Sequence, residues 1–300
     1  MYREVSNKAA TTRKRRRHVS VSGMLTMLGV SRSGYVAWLK RVPSHQQHRK
    51  QAVQLKIRNI YNASKQNYGA PKIAKELRKT GDMISARTVG KYMKDMGIRA
   101  QWVKPYVVTT KDSDFSHALQ NILQQDFNPE RPNAVWCSDI TYIWTADGFV
   151  YLTSVMDLFS RKIIAWNVTT TMQVSCVVDT INKAKARRTL DQPLVIHSDR
   201  GSAYVSREYI RATKNMQRSY SKKAFPWDNA CIESFHSLIK REWLNRFRIR
   251  DYRHAYTLVF EYLETFYNTV RIHSHCDYMS PDEYEKLYQQ CQKKDALRAS

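Results

Sequence analysis

Up to about residue 100 the apolar residues recur every three or four positions, and from 134 they bunch into runs and alternations. The first spacing is helical and the second marks strands. Met24, Leu25 and Leu28 share one face, Gly29 interrupts, and Ser31 caps a helix carrying Tyr35, Trp38 and Leu39 that Pro43 ends. Val53, Ile57, Ile60 and Tyr61 predict a helix over 51–62. Pro71 opens another through Ile73, Leu77 and Arg78 to Gly81, and Ser85 caps a third with Val89, Tyr92 and Met93 inward and Gly97 as its stop. Two helix–turn–helix outlines follow. The second presents Arg87, Lys91 and Lys94 outward, a basic front on an apolar back that suits a DNA major groove. An ordinary amphipathic helix with solvated lysines has the same local pattern.

Downstream the period changes. Val135–Trp144 predicts a strand, Phe149–Phe159 a nearly unbroken apolar run, and Lys162–Val168 a third strand, with Asp147-Gly148 turning the first into the second. A helix over 173–188 precedes a short buried strand at 194–196, a helix at 206–214, a strand at 217–221 and a helix at 229–245. Helical segments at 253–270 and 281–292 close the chain. This order predicts an α/β core, a mixed sheet layered by helices. The expected domains are a basic flexible arm (1–19), a helical DNA-binding region (20–108), a linker (109–130), a catalytic core (131–245) and a helical C-terminal extension (246–300).

Charge sharpens this division. Residues 1–110 hold 24 Lys and Arg against 4 Asp and Glu, whereas residues 111–300 hold 26 against 22. The basic half is an electrostatic footprint for a polyanion, and nucleic acid is the usual one. Within it Arg15, Arg16 and Arg17 predict an arm that orders on phosphates. The five cysteines are scattered and form no C-x-x-C pair, so neither a zinc site nor a disulfide framework is indicated. No apolar run reaches the length of a membrane span, and the N-terminus lacks a signal peptide's hydrophobic region, so a cytoplasmic, nucleoid-associated chain without a membrane partner is expected.

Three acidic residues stand out by position. Asp139 lies inside the first predicted strand, Asp199 ends the short buried strand, and Glu233 sits on the helix opening near Asn229. Carboxylates at core strands are costly unless neutralised. Arginine partners or backbone caps would neutralise them, and so would shared divalent cations; oxygen ligands of this kind favour Mg²⁺ or Mn²⁺. Phosphodiester chemistry needs no nucleophilic side chain, only two cations about 4 Å apart that activate the attacking hydroxyl and stabilise the leaving oxygen. Lys240, seven residues after Glu233, shares its side of the helix and is a candidate contact to the DNA backbone beside the cut. Asp157 is expected to pair locally with Arg161, His197 to be packed and hydrogen-bonded, and Asp228-Asn229 to cap the Glu233 helix. Trp144, Trp166 and Trp227 are expected in the core or at its rim, Trp227 also being a candidate to stack on a splayed base. Lys183, Lys185, Arg187 and Arg188 are expected either to touch DNA or to form a solvated helix end.

These residues resemble a known family. The motifs are Trp136-x-x-Asp139-Ile140-Thr141-Tyr142, Val155-Met156-Asp157-Leu158-Phe159-Ser160-Arg161, His197-Ser198-Asp199-Arg200-Gly201-Ser202-x-Tyr204 and Asp228-Asn229-Ala230-x-x-Glu233-Ser234-Phe235. Together they are similar to the integrase-core, ribonuclease-H-like transposases of bacterial insertion sequences, in particular the catalytic product of two-reading-frame elements, related to retroviral integrases. Tyr68-Gly69-x-Pro71-x-Ile73 resembles that family's helix–turn–helix, and Tyr267-Asn268-x-x-Arg271-x-His273 its C-terminal segment. The resemblance implies a DDE triad of Asp139, Asp199 and Glu233 on two Mg²⁺ or Mn²⁺ ions, with Lys240 as the basic residue. It also implies strand cleavage by water followed by attack of the freed 3′-hydroxyl on target DNA. The implied partners are element ends, a target duplex, further copies of the chain on DNA, and an upstream-frame product, alone or as a fusion. Thirty-three residues separate Asp199 from Glu233, two fewer than usual for the family, a shortfall expected between Tyr209 and Ser219. A nuclease of the same fold and a non-catalytic DNA-binding regulator are the alternatives.

Overall fold

Alternating apolar residues and a tight turn set the sheet. In the computed structural model, which describes residues 1–14, 20–101, 119–190, 192–222 and 225–299, β1 (Val135–Thr145) and β2 (Gly148–Asp157) pair antiparallel from Trp136↔Asp157 to Thr145↔Gly148. Gly148 takes φ +112°, a backbone that a side chain would strain. β3 (Ile163–Thr169) adds antiparallel to β2, while β4 (Val195–Ser198) and β5 (Gln217–Tyr220) extend the other edge in parallel, giving the order β3-β2-β1-β4-β5. This is the mixed sheet that the sequence predicts.

Both faces are covered. Helix α7 (Val174–Arg187) crosses from β3 to β4 and buries Val177, Ile181 and Ala184 against Trp136, Val155, Ala165 and Ile196. Strand side chains alternate between faces, so Asp139 and its partner Ser154 point the other way. There lie α9 (Ala230–Glu242), with Ile232, Phe235 and Ile239 buried, and α10 (Tyr252–Tyr262). Helix α8 (Arg207–Ala212) has only six residues. After α10 the chain makes a π-helical turn at Leu263–Tyr267, and α11 (Pro281–Ala299) ends it.

The chain divides into two units, 1–56 and 57–300. In the first, the expected arm is instead a helix over Tyr2–Lys14 (α1). Val5 is buried with Leu25 of α2 (Val21–Met27) and Tyr35 of α3 (Arg32–Leu39), and the Tyr2 ring lies 5.9 Å from that of Tyr35. Two large apolar residues, Tyr2 and Val5, in a polar stretch are too few to show a helical period, yet they are enough to dock one. Ser20 and Ser31 cap α2 and α3 by accepting from Gly23 N and Gly34 N. Arg15, Arg16 and Arg17 lie outside the described residues. Helix α4 (His45–Ala63) leads into the second unit.

There α5 (Ala70–Lys79) and α6 (Ala86–Asp95) form the predicted helix–turn–helix, Ser85 capping α6 by accepting from Thr88 N at 3.1 Å. It is fastened to the C-terminal segment. The buried Tyr68 hydroxyl accepts from Ile272 N at 2.8 Å and donates to Val270 O at 3.3 Å. Beside it Arg271, 5% exposed, grips Glu242 at the end of α9 through two bonds, Nε–Oε2 at 2.7 Å and Nη2–Oε1 at 2.6 Å. Tyr262 donates to the same carboxylate at 2.8 Å. The described end of the expected linker is docked too, since Ile122 N and Leu123 N both donate to Ser219 Oγ on β5.

Removing one partner of a buried ion pair leaves the other charged and unsatisfied. Arg271→Ala should therefore lower the unfolding free energy by about 3–5 kcal/mol in a denaturant titration. A loss below about 1 kcal/mol, the value of an exposed pair, would show that Glu242 finds water or another donor.

Candidate active site

β1 delivers Asp139 to the sheet's α9 face with its side chain 18% exposed. Oδ1 accepts from Ile140 N at 2.8 Å, and Oδ2 lies 3.3 Å from His236 Nδ1. His236 is itself buried and spans to Ser154 Oγ at 3.2 Å through Nε2. The imidazole thus fixes the Asp139 carboxylate against β2. Sequence reading missed this residue. Its signal was a polar side chain on the apolar stripe Ile232, Phe235, Ile239, where burial demands hydrogen-bond partners.

Asp199 follows β4 directly, and the β1–β4 register from Val135↔Val195 to Ser138↔Ser198 sets it beside Asp139. Its Oδ1 accepts from Gly201 N at 2.9 Å. A Cβ at position 201 would come within 3.0 Å of that oxygen, so glycine keeps this side of the carboxylate clear. Asp199 is open to solvent on one side, yet crowding by protein and the Asp139 charge raise its pKa to about 6. Glu233, exposed on α9, is also raised, by partial desolvation and then by the charges of Asp139 and Asp199. The three carboxylates therefore share one electrostatic neighbourhood. Among the described residues no lysine or arginine pairs with any of them. Nor do any three carboxyl, imidazole or thiol groups among those residues stand close enough to hold an ion as placed.

Lys240 sits at the rim. Its ammonium lies 4.3 Å from the centroid of the Tyr142 ring, and partial burial lowers its pKa against the opposing pull of Asp139. Arg87, Lys91 and Lys94 are exposed on α6, opposite the buried Val89 and Met93. No contact among the described residues brings them to the carboxylates.

Three expectations need correction. Asp157 does not pair with Arg161: its oxygens accept from Asn133 N at 2.8 Å and Phe159 N at 3.0 Å, closing the ends of β1 and β2. Complete burial raises its pKa to about 6, and Arg161 turns to Leu158 O instead. Asn229 caps α9 by position but makes no capping hydrogen bond. Asp228 accepts from Asn121 Nδ2, Gln125 Nε2 and Lys222 N, tying segment 121–125 to the entrance of α9. His197 is buried between Ser219 and Ser221 as expected, and so is Trp166, but Trp144 and Trp227 are 65% and 69% exposed and belong neither to the core nor to its rim. In the cluster 183–188 Lys183, Lys185 and Arg187 are exposed at the helix end while bonding Asn167, Ala212 O and Ile164 O, and the less exposed Arg188 pairs with Glu285 at 2.8 Å.

Family models described as integrase core domain match residues 129–226 and 214–281, and one described as HTH-like domain matches 47–106. The chain is 37% identical over 250 residues to the transposase for insertion sequence element IS904 of Lactococcus lactis subsp. lactis (strain IL1403), covering 83% of this chain and 99% of the relative. It is 34% identical over 279 residues to transposase InsF for insertion sequence IS3A of Escherichia coli (strain K12), covering 91% and 96%. This chain belongs to the integrase-core transposases of insertion sequences. Among solved structures, the HTLV-2 integrase catalytic core domain in complex with magnesium aligns at 16% identity with a TM-score of 0.40, over 52% of this chain and 98% of that one. In the transposase the thirty-three residues between Asp199 and Glu233 leave Glu233 in the field of both aspartate charges.

Unneutralised, Asp199 and Glu233 oppose folding. Asp199 holds its proton more tightly folded than unfolded, where its pKa is about 4. It favours the fold while protonated, and that contribution is lost as pH rises through about 6. Asp199→Asn, neutral throughout, should match wild type near pH 4 and melt higher at pH 8 in chelator. After discounting for solvent screening the gain is about 1 kcal/mol, or about 2–4 °C. A wild type melting as high as the variant at pH 8 would contradict the coupling.

Proposed function

We propose that this transposase is a divalent-metal-dependent polynucleotidyl transferase that cuts DNA at the ends of its element and joins the freed 3′-hydroxyl to a target duplex. The observation that carries the reading is the convergence of Asp139, Asp199 and Glu233, mutually repelling and paired with no arginine or lysine among the described residues. The donor set fits Mg²⁺ or Mn²⁺: it is all oxygen, two carboxylates are raised by crowding, and Gly201 leaves the Asp199 oxygens approachable. Two such ions, when bound, activate the attacking hydroxyl and stabilise the leaving oxygen.

The chain's own groups then orient the ligands. His236 and Ile140 N hold Asp139, and Gly201 N holds Asp199. The nucleophile is water in cleavage and a DNA 3′-oxygen in joining; each step forms one P–O bond and breaks another, so no covalent enzyme intermediate is needed. Lys240 steadies a backbone phosphate beside the reacting one, while Arg87, Lys91, Lys94 and the Arg15–Arg17 cluster grip duplex DNA. Copies of the transposase assemble on the DNA, with an upstream-frame product as partner or fusion, in the cytoplasm at the nucleoid.

Single replacement of Asp139 or Asp199 by Asn, or of Glu233 by Gln, removes a ligand charge at nearly constant shape. In an oligonucleotide joining assay with Mg²⁺ each variant should lose about a hundredfold or more, while binding duplex DNA as wild type does. Joining at the wild-type rate by Glu233→Gln would refute the assignment. Cleavage without joining by the wild type would mark a nuclease, and binding without either a regulator.

A further inference from the structure

Three large aromatic side chains stand together in solvent near the carboxylates. Tyr142 is 54% exposed, Trp144 65% and Phe149 47%. Trp144 pairs with Phe149 directly across the β1–β2 ladder, their centroids 4.7 Å apart, and Tyr142 meets Phe149 diagonally at 5.3 Å, both edge to face. The face they share is covered by α7 further along the strands, where Trp136 and Val155 lie, but not at this end. Strand β4 pairs with β1 only as far as Ser138, so the β1 edge from Asp139 onward faces no other strand on that side. Around that edge Lys240 reaches from α9 to lie over Tyr142. Tyr142 is three residues beyond Asp139, about 10 Å along a strand.

We propose that Tyr142, Trp144 and Phe149, flanked by Lys240, form a stacking platform for unpaired bases of the DNA strand that enters the carboxylate site. Soluble proteins rarely leave contiguous large aromatics in water without an occupant. The occupant must match flat rings and a cation together. Nucleobases with their phosphates do so, whereas an apolar helix or a second aromatic face would leave the ammonium without a counter-charge. Stacking is tolerant of sequence, so the platform secures a frayed end without reading it. It also has a mechanical consequence: a base held on this face, around the open β1 edge from Asp139, keeps its own strand from re-pairing as it enters the carboxylate site.

The proposal rests on the strand-joining reading, since it names part of that reaction's substrate, and the test separates the two. The full-length transposase is titrated without divalent cation into a short duplex carrying a single-stranded 3′ extension with 2-aminopurine, and into the blunt duplex of the same sequence. Wild type should quench the 2-aminopurine emission by stacking. Trp144→Ala with Phe149→Ala should restore emission and weaken binding of the extended duplex about tenfold, leaving the blunt duplex within about twofold. Trp144→Phe should keep the quench, and melting temperatures should stay level because the replaced rings are largely exposed. Equal losses on both DNAs, unchanged emission, or a wild-type dimer that the double variant splits in sedimentation would each overturn the platform. A wild type that quenches yet never joins strands in Mg²⁺ would instead refute the joining reading and leave the platform standing.

Discussion

Repulsion among three carboxylates is the constraint on which the core turns. Asp139, Asp199 and Glu233 come from a strand, a strand end and a helix, and nothing in their own segments would bring them together. The parallel β1–β4 register aligns the two aspartates, and burial of Ile232, Phe235 and Ile239 fixes the side of α9 that carries Glu233. Packing therefore desolvates these groups and holds them within each other's fields, so burial first and the neighbouring carboxylate charges second make Asp199 and Glu233 resist ionisation. Sites that store such a conflict are commonly functional, because a cation resolves it.

The supports of α9 explain how the conflict is sustained. At its entrance Asp228 gathers Asn121, Gln125 and the Lys222 backbone. At its far end Glu242 is held by Arg271 and Tyr262, and the neighbouring Ile272 bonds Tyr68 at the start of the helix–turn–helix. The same segment thus anchors the helix that carries Glu233 and the helix–turn–helix. Two motifs far apart in sequence, Tyr68-Gly69-x-Pro71 and Tyr267-Asn268-x-x-Arg271-x-His273, prove to be two sides of one junction.

Much of this was legible in the sequence where a local period carried it. The strands around Asp139 and the capped α6 announced themselves by alternation, by Gly148 and by Ser85. What stayed hidden depended on long-range partners. The helix at Tyr2–Lys14 needs Tyr35 and Trp38 to dock against. Asp157 looked like a partner for Arg161, four residues on, but its donors are backbone N–H groups, one of them 24 residues upstream. His236 could be recognised as polar on an apolar stripe, though not as the brace of Asp139 across two strands.

The central claim, that a divalent cation draws the three carboxylates into one site, is tested most directly by binding rather than turnover. Thermal unfolding of the wild type and of Glu233→Gln is followed at pH 8 with and without Mg²⁺. A cation that binds only the folded site adds about 2.7 kcal/mol at a hundredfold excess over its Kd. The account predicts that wild type melts clearly higher with Mg²⁺ while Glu233→Gln gains little. An equal rise in both proteins, or none in the wild type, would contradict it.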